Sequence, residues 1–292
     1  MSSAMLTTTV TEGDRVAISV MVFTLDEEIH LPSCLASLAW CDDVIIVDSY
    51  SSDGTEAICR AAGARFAQHA FTGFGDQRNW ALDHVPPRHD WVLILDADER
   101  VTPDLVTELR SLIPSVAADV GAFRIRRRFH LWGRWLRYSS LYPTWVVRLV
   151  HRERVRYTNR GHAETQEVQG RIADLAHDLI DENIKGLDDW FERQCRYAAK
   201  DAAYELAAEH TPLPWRRGLF GGVLERRAML KRLAARVPVR PLLYFLYSYL
   251  LRLGFLDGRD GLQFCLMKAL YQRMVQIRKY DLRRAAKRAG VS

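Results

Sequence analysis

The run Asp96-Ala97-Asp98, followed by Glu99, places two carboxylates one residue apart directly after the apolar stretch WVLIL of residues 91–95. At a strand end the chain leaves the regular pleat. Both carboxylates can then turn toward one hard divalent cation, Mg2+ or Mn2+, with a diphosphate supplying further oxygens. The competing use of acids at such a position is to cap a following helix, here one expected to begin near Pro103. A second acidic strand end, Val47-Asp48, opens the hydroxyl-rich turn Ser49-Tyr50-Ser51-Ser52-Asp53-Gly54-Thr55. Asp48 suits hydrogen bonds to a base or ribose, whereas Asp53 suits the N-terminus of the next helix. The third signal is Asp76-Gln77-Arg78-Asn79, after the loop Phe71-Thr72-Gly73-Phe74-Gly75. An Arg78 aimed into a crevice neutralises a diphosphate; on an open surface it is only a solvated charge.

The elements that must position these groups follow from hydrophobic patterning. Residues 16–23, 43–48, 65–68 and 91–96 are apolar runs of strand length, alternating with the helical stretches 29–40, 55–62 and 76–85. Continuous apolar strands separated by helices predict a parallel sheet covered on both faces, with ligands at the carboxyl ends of the strands. From Gly121 the texture changes to GAFRIRRRFH, YPTWVVRLVHR and the short run 154–158, which predict antiparallel strands added to that core. Helical spacing resumes over 187–209 until TPLPW breaks it, so a boundary is expected near residue 212. Residues 1–15 have neither a basic start nor an apolar run, which argues against a signal peptide and for a frayed tail.

In their order, these segments resemble the family 2 glycosyltransferases of the GT-A fold, and within them the branch of lipopolysaccharide core β-1,4-glucosyltransferases. The resemblance rests on Thr24-Leu25-Asp26-Glu27-Glu28, the Asp48 to Thr55 segment, Gly73 to Asn79, Leu95 to Glu99 and Phe255-Leu256-Asp257-Gly258. It implies that Thr24 and Asp48 border the nucleoside of a nucleotide-sugar donor, that Arg78 faces its diphosphate, that Asp96 and Ala97 line the ribose and metal, and that Asp98 ligates the metal. The chain departs from the usual pattern at Leu25-Asp26, where relatives carry Lys-Asn, and at Ser49, where many carry a second Asp; uracil as the base is therefore unsecured. Downstream, Trp135-Leu136-Arg137, Tyr142-Pro143 and Arg148-Leu149 match a stretch the branch shares, which makes Trp135 and Arg148 candidates for the acceptor side or for a role left unassigned. Gly161-His162-Ala163-Glu164 offers Glu164 as the carboxylate that deprotonates the acceptor hydroxyl, with His162 either orienting the acceptor or serving as a loop histidine. His177, in the segment His177-Asp178-Leu179-Ile180-Asp181-Glu182, is a further acceptor-side candidate.

Length and composition set the frame. With 292 residues and 48% hydrophobic side chains the chain can bury a sizeable core, and its five scattered cysteines without a CxxC pair exclude a zinc ribbon or disulfide scaffold and suit a reducing, cytosolic setting. The net charge of +5 conceals an asymmetry: residues 215–292 hold 18 Lys and Arg against 4 Asp and Glu, a balance of +14, leaving −9 for the remainder. The basic end surrounds PLLYFLYSYLL, residues 241–251, too short for the roughly 20 apolar residues of a membrane span. Apolar helices flanked by cations, with Trp215 and tyrosines at headgroup depth, fit an anionic lipid surface. Alternatively these helices pack on the rest of the chain or on a second copy, giving a homo-oligomer. Nucleic acid is not expected, since the charge accompanies hydrocarbon rather than a recognition motif.

The expectation is therefore an α/β protein with a GT-A Rossmann-like mixed sheet flanked by helices: a tail over 1–15, a catalytic domain over 16–212 and a basic, membrane-proximal helical extension over 213–292. It would transfer a sugar, with inversion, from a nucleotide diphosphate sugar, a UDP-sugar by the family resemblance, to a glycolipid or lipid-linked acceptor on the cytoplasmic face of the inner membrane. A polyprenyl-phosphate glycosyltransferase is the nearest alternative. A nucleotidyltransferase should carry a Gly-rich basic loop after the first strand, and residues 24–28 contain no glycine; a non-catalytic adaptor should have lost its acids, and Asp48, Asp96 and Asp98 are all present.

Overall fold

Strand β1 (Ile18–Thr24) is buried along its whole length, as a β-branched run enclosed on both sheet faces should be. A computed structural model describes residues 16–160, 163–209 and 237–288, with the single positions Gly222, Arg226, Met229 and Leu233. The expected tail, His162, Trp215, Arg216, Arg217, Arg227, Lys231, Arg232, Arg236 and the boundary near 212 lie outside the described residues. After β1 come α1 (Leu31–Ala36), β2 (Val44–Asp48), α2 (Thr55–Ala61), β3 (Arg65–Gln68), α3 (Phe74–His84), β4 (Trp91–Asp96), β5 (Glu99–Val101) and α4 (Pro103–Leu112). Then follow β6 (Val120–Leu131), β7 (Arg134–Trp135), β8 (Thr144–His151), β9 (Val155–Arg160), β10 (Ala163–Val168) and β11 (Arg171–Glu182). The helices α5 (Gly186–Glu209), α6 (Arg240–Leu246) and α7 (Gly258–Arg288) complete the described chain.

The described residues divide into two compact units. The first holds the residues through Trp135, with Pro143–Thr158 and Thr165–Ile184. Its sheet runs β3-β2-β1-β4-β8-β6-β11-β5, with β7 on β6. The first four strands are mutually parallel and β8 joins them antiparallel. Of the late strands, β6 and β8 pair antiparallel as expected, while β11, outside that expectation, runs parallel to β6. Successive residues of the central strands feed opposite cores: Ile18, Val20, Val22, Ile46, Leu93 and Leu95 meet Leu31, Leu105 and Leu109 on one face, and Met21, Ile45, Val92 and Ile94 meet Ala81 of α3 on the other. Truncating one of these, such as Leu93→Ala, should cost about 2–5 kcal/mol.

The second unit comprises Leu136–Tyr142, the described part of 159–164, and the described residues from Lys185 onward. Helix α5 thus belongs with the C-terminal helices, since Ala198 and Ala202 let it approach Tyr271 and Val275 of α7 closely. Between α6 and α7 lie a π turn over Tyr247–Leu251 and a 3-10 turn over Gly254–Asp257. Among the described residues no helix is long and apolar enough to cross a membrane.

Candidate active site

Parallel register brings three of the expected residues to one sheet edge: Thr24 lies opposite Asp48, and Phe23 opposite Asp96. Asp48 is buried, and its carboxylate accepts hydrogen bonds from the Thr24 hydroxyl (2.9 Å), Ser51 N (2.9 Å), the Ser51 hydroxyl and Gln68 Nε2 (3.2 Å). It thereby shapes the turn after β2 from below. The loop after β1 is laced to that turn: Asp26, Glu27 and Glu28 donate their N–H groups to Ser51, Thr55 and Asp53, and Asp26 and Glu28 accept from the N–H groups of Ser52 and Gly54. Asp26 adopts a left-handed conformation (φ 53), which Asp, like Asn, tolerates better than most residues, so the departure from Lys-Asn keeps this bend. Asp53 also accepts the Thr55 N–H (3.0 Å), although the residue at the N-cap of α2 is Gly54, which has no side-chain cap bond.

The acids after β4 do not cap α4. Thr102 does so, accepting the Leu105 N–H at 3.3 Å, with Pro103 behind it. Asp96 is instead held between two buried arginines. Arg78, 3% exposed, donates to Asp96 Oδ1 (3.1 Å), and Arg148 donates to Asp96 Oδ2 and to Glu99 Oε1 (2.7 Å). The Arg78 guanidinium also lies 5.5–5.8 Å from the ring centres of Phe23, Phe74 and Tyr157. It is thus no solvated surface charge. Burial works to raise the Asp96 carboxyl, but Arg148 and Arg78 outweigh it and hold it at about 2.

Asp98 is in the opposite situation. Burial, with the repulsion of Asp96 and Glu27, pushes it above the ordinary carboxylate range, against weaker pulls from His30 and from Asn183, whose amide donates to Asp98 Oδ2 at 3.3 Å. Glu99 is raised by burial, with Arg148 opposing and Asp96 adding. Burial pushes Asp181 to about 7; Arg127, 2.9 Å away, pulls it down, and Asp98, Glu99 and Asp96 push it further up. Glu27 meets His30 Nδ1 at 2.5 Å, and since His30 Nε2 accepts the Ile184 N–H (2.9 Å), the ring proton sits on Nδ1 facing Glu27.

The residues around Arg78 share the work of alignment. Gln77 donates to the Ser49 hydroxyl (2.6 Å), and Asn79 exchanges two hydrogen bonds with the backbone of Tyr157 (2.8 and 2.9 Å). Among the described residues, no group of three His, Cys, Asp or Glu is set to hold a metal ion by itself. The set nevertheless fits a hard cation completed by ligand oxygens, because Asp96 and Asp98 offer carboxylate oxygens one residue apart at the end of β4. Arg148, expected toward the acceptor, lies instead against Asp96 and Glu99; Trp135 sits under the Arg128 guanidinium, 5.2 Å from the ring centre; His177 is bound by Glu108 of α4 at 2.9 Å. Glu164 is half-buried on β10, in the second unit. Reading the sequence missed Glu27, His30, Glu99, Arg127 and Asp181 as members of this cluster. The complementary alternation of RIRRRF on β6 with DLAHDLIDE on β11 was the available signal.

The Glycosyl transferase family 2 model matches residues 19–176, more than half of the chain. The chain belongs to glycosyl transferase family 2. It is 32% identical over 151 residues to the lipopolysaccharide core biosynthesis glycosyltransferase LpsC of Rhizobium meliloti (strain 1021), covering 49% of this chain and 54% of that protein. It is 30% identical over 103 residues to an uncharacterised glycosyltransferase of Rickettsia bellii (strain RML369-C), covering 35% of this chain and 34% of that protein. The chain thus spans about half or less of the length of these curated relatives. Among solved structures, the mannosyltransferase PcManGT of Pyrobaculum calidifontis, in complex with GDP-Man and Mn2+, matches with a TM-score of 0.50 over 91% of this chain and 87% of that one, at 17% identity. The likeness shows the fold, that of the GT-A glycosyltransferases.

Proposed function

We propose that the protein transfers a sugar, with inversion, from a nucleotide diphosphate sugar to a glycolipid or lipid-linked acceptor in lipopolysaccharide or related cell-envelope synthesis, working at the inner face of the cytoplasmic membrane. The observation that carries this reading is the unequal treatment of the paired carboxylates: Asp96 is charge-compensated by Arg78 and Arg148, while Asp98 is left to attract a cation. Asp98, with Asp96, would hold a bound Mg2+ or Mn2+, which would supply positive charge to the departing diphosphate. Thr24 and the Asp48 turn form the nucleoside side, with uridine favoured by the family resemblance, and Arg78 stands beside the diphosphate. Relatives of the same fold bind a nucleotide sugar, as PcManGT does GDP-Man, and LpsC supports a lipopolysaccharide acceptor.

In the transfer, the acceptor oxygen forms a bond to the anomeric carbon from the face opposite the diphosphate, the bond from that carbon to the diphosphate oxygen breaks, and a carboxylate takes the acceptor proton. Glu164 is the base indicated by sequence. Asp181 is a second candidate, because an acid poised at about 7 matches the proton affinity such a step needs. The lipid side is carried by residues 239–256, where Leu242, Leu243, Leu246, Leu250, Leu253 and Leu256 are exposed and Leu251 is 76% exposed. Not all the cations of this end face outward as expected: Arg240 and Lys279 pair with Glu205, and Lys279 and Arg283 with Glu209. The test is a thermal-shift panel of UDP- and GDP-sugars with and without Mn2+. One donor should stabilise the fold only with the metal; no stabilisation by any nucleotide sugar would sink the reading.

A further inference from the structure

The sequence motif Phe255-Leu256-Asp257-Gly258 has no part in the donor chemistry, yet its acid is deeply engaged. Asp257 is 4% exposed, and one short loop supplies four hydrogen bonds to its carboxylate. The Arg137 N–H reaches Oδ1 (3.2 Å), and Oδ2 receives the Tyr138 N–H (2.9 Å), the Ser139 N–H (2.7 Å) and the Ser139 hydroxyl (2.7 Å). Three consecutive backbone N–H groups converging on one anion form a nest, and here the chain supplies its own anion. The loop, Leu136–Tyr142, joins β7 to β8 and closes on itself through Leu141 N to Tyr138 O (3.0 Å) and Tyr142 N to Arg137 O (3.2 Å). Arg252 donates to Tyr142 O at 3.2 Å.

Leucines on both sides of this joint hold left-handed backbones, Leu141 at φ 64 and Leu253 at φ 61, a conformation that persists only where the surroundings enforce it. Close packing enforces it here. A Cβ on Gly261 would fall 2.4 Å from Gly254 O and 2.6 Å from Asp257 Cβ, and one on Gly254 would fall 2.7 Å from Ser248 O. On the outer side of the joint, Leu250, Leu251, Leu253, Phe255 and Leu256 are exposed. The carboxylate therefore fastens a polar loop to a segment whose outward surface is hydrocarbon.

We propose that Asp257 is a positioning residue for the acceptor: its buried carboxylate holds the 136–142 loop in the shape that receives a lipid-borne acceptor when the apolar segment rests on a membrane. The inference rests on the glycosyl-transfer reading above. It assigns the loop to the acceptor because Thr24, Asp48, Arg78, Asp96 and Asp98 all belong to the first unit, whereas the loop, the apolar segment and Glu164 share the second. An amide at position 257 would turn an N–H toward the N–H groups it must accept, so Asp257→Asn breaks the nest at constant size.

The test compares the full-length wild type with Asp257→Asn, Asp257→Glu and Ser139→Ala. UDP-glucose and GDP-mannose with Mn2+ probe donor binding, and transfer of label to membranes from cells deleted for the gene probes the acceptor. For Asp257→Asn, donor affinity should stay within about twofold and the apparent KM for membranes should rise at least tenfold, with a smaller fall in kcat. Trypsin should cut after Arg137 at least tenfold faster. Asp257→Glu should recover part of the loss and Ser139→Ala should show a smaller KM rise. Unchanged transfer alongside faster cleavage would overturn the proposal, as would donor binding lost in step with transfer. If Asp257→Asn fails to fold, Ser139→Ala and Arg252→Ala each remove a single bond of the joint, and an unchanged KM in both overturns it. A wild type that neither binds a nucleotide sugar nor labels membranes overturns the glycosyl-transfer reading itself, a failure visible without any variant.

Discussion

At the strand ends of the first unit, acids from β4 and β11 are met by arginines from α3, β6 and β8; in the second unit the α5 glutamates meet arginine and lysine from α6 and α7, and hydrocarbon is left outside. Both units thus neutralise buried charge by pairing, but the first leaves one acid, Asp98, short of a counter-charge, while the second leaves an apolar face short of a cover. A deficit of charge suits a cation and a diphosphate; a deficit of apolar contact suits lipid. Breaking either deficit should disable one half of the reaction and spare the other.

The largest effect is expected at Asp98. Asp98→Asn should abolish metal-dependent donor binding, with turnover falling by more than about 10³-fold while the melting temperature of the metal-free protein holds, because an amide of equal size replaces the carboxyl without opening the core. Unchanged turnover would refute the metal assignment. Next come the two candidate bases. Loss of the true base should lower kcat about 10²- to 10⁴-fold at constant donor affinity, so Glu164→Gln and Asp181→Asn, assayed side by side for kcat and donor Kd, decide between them.

Arg148→Met should destabilise the first unit by about 3–5 kcal/mol in a denaturant titration, since it takes from the charged Asp96 one of the two buried arginines that hold it. The pH dependence follows from the raised acids. In the metal-free protein Asp98, Glu99 and Asp181 hold protons in the folded state that the unfolded chain releases near pH 4. The Asp181 contribution should therefore be fully present below about pH 4 and be lost as pH rises toward and through 7, with Asp98 and Glu99 acting in the same direction. Melting curves between pH 5 and 8 check this; Asp181→Asn should flatten the fall, and a rise with pH would contradict the assignment. The smallest effect is at the surface: Arg278→Gln should weaken binding to anionic vesicles about fivefold, equivalent to about 1 kcal/mol, and leave neutral vesicles unaffected.

How much of this was legible depended on whether a residue's role was local. The parallel strands were readable to within a residue or two, since an apolar β-branched run of that length has few other fates. Helix α1 proved shorter than residues 29–40 because Pro32 fixes its first turn and Ser37 ends it, its hydroxyl bonding back to Cys34 O. Strand β11 was not anticipated, as its acids disguise it until the β6 arginines are placed alongside. Asp96, Asp98, Asp48 and Arg78 stood out by position in a local pattern. Asp181, Arg127 and His30 became visible only when strands distant in sequence met, and Asp257 was noticed as a motif without its partner, 118 residues away at Ser139.

Helix α3 carries a consequence of its own. Gln77, Arg78 and Asn79 are consecutive, about 100° apart around the axis, and each reaches a different destination: the turn after β2, the acid after β4, and the backbone of β9. A slip of one residue would move the helix by about 1.5 Å and turn it by that same angle, unhooking all three together. The helix works like a three-toothed key. Insertions or deletions in the preceding segment Phe71–Gly73 are tolerated only in lengths that leave its register untouched, and Phe74, which packs against the Arg78 guanidinium, is fixed with it.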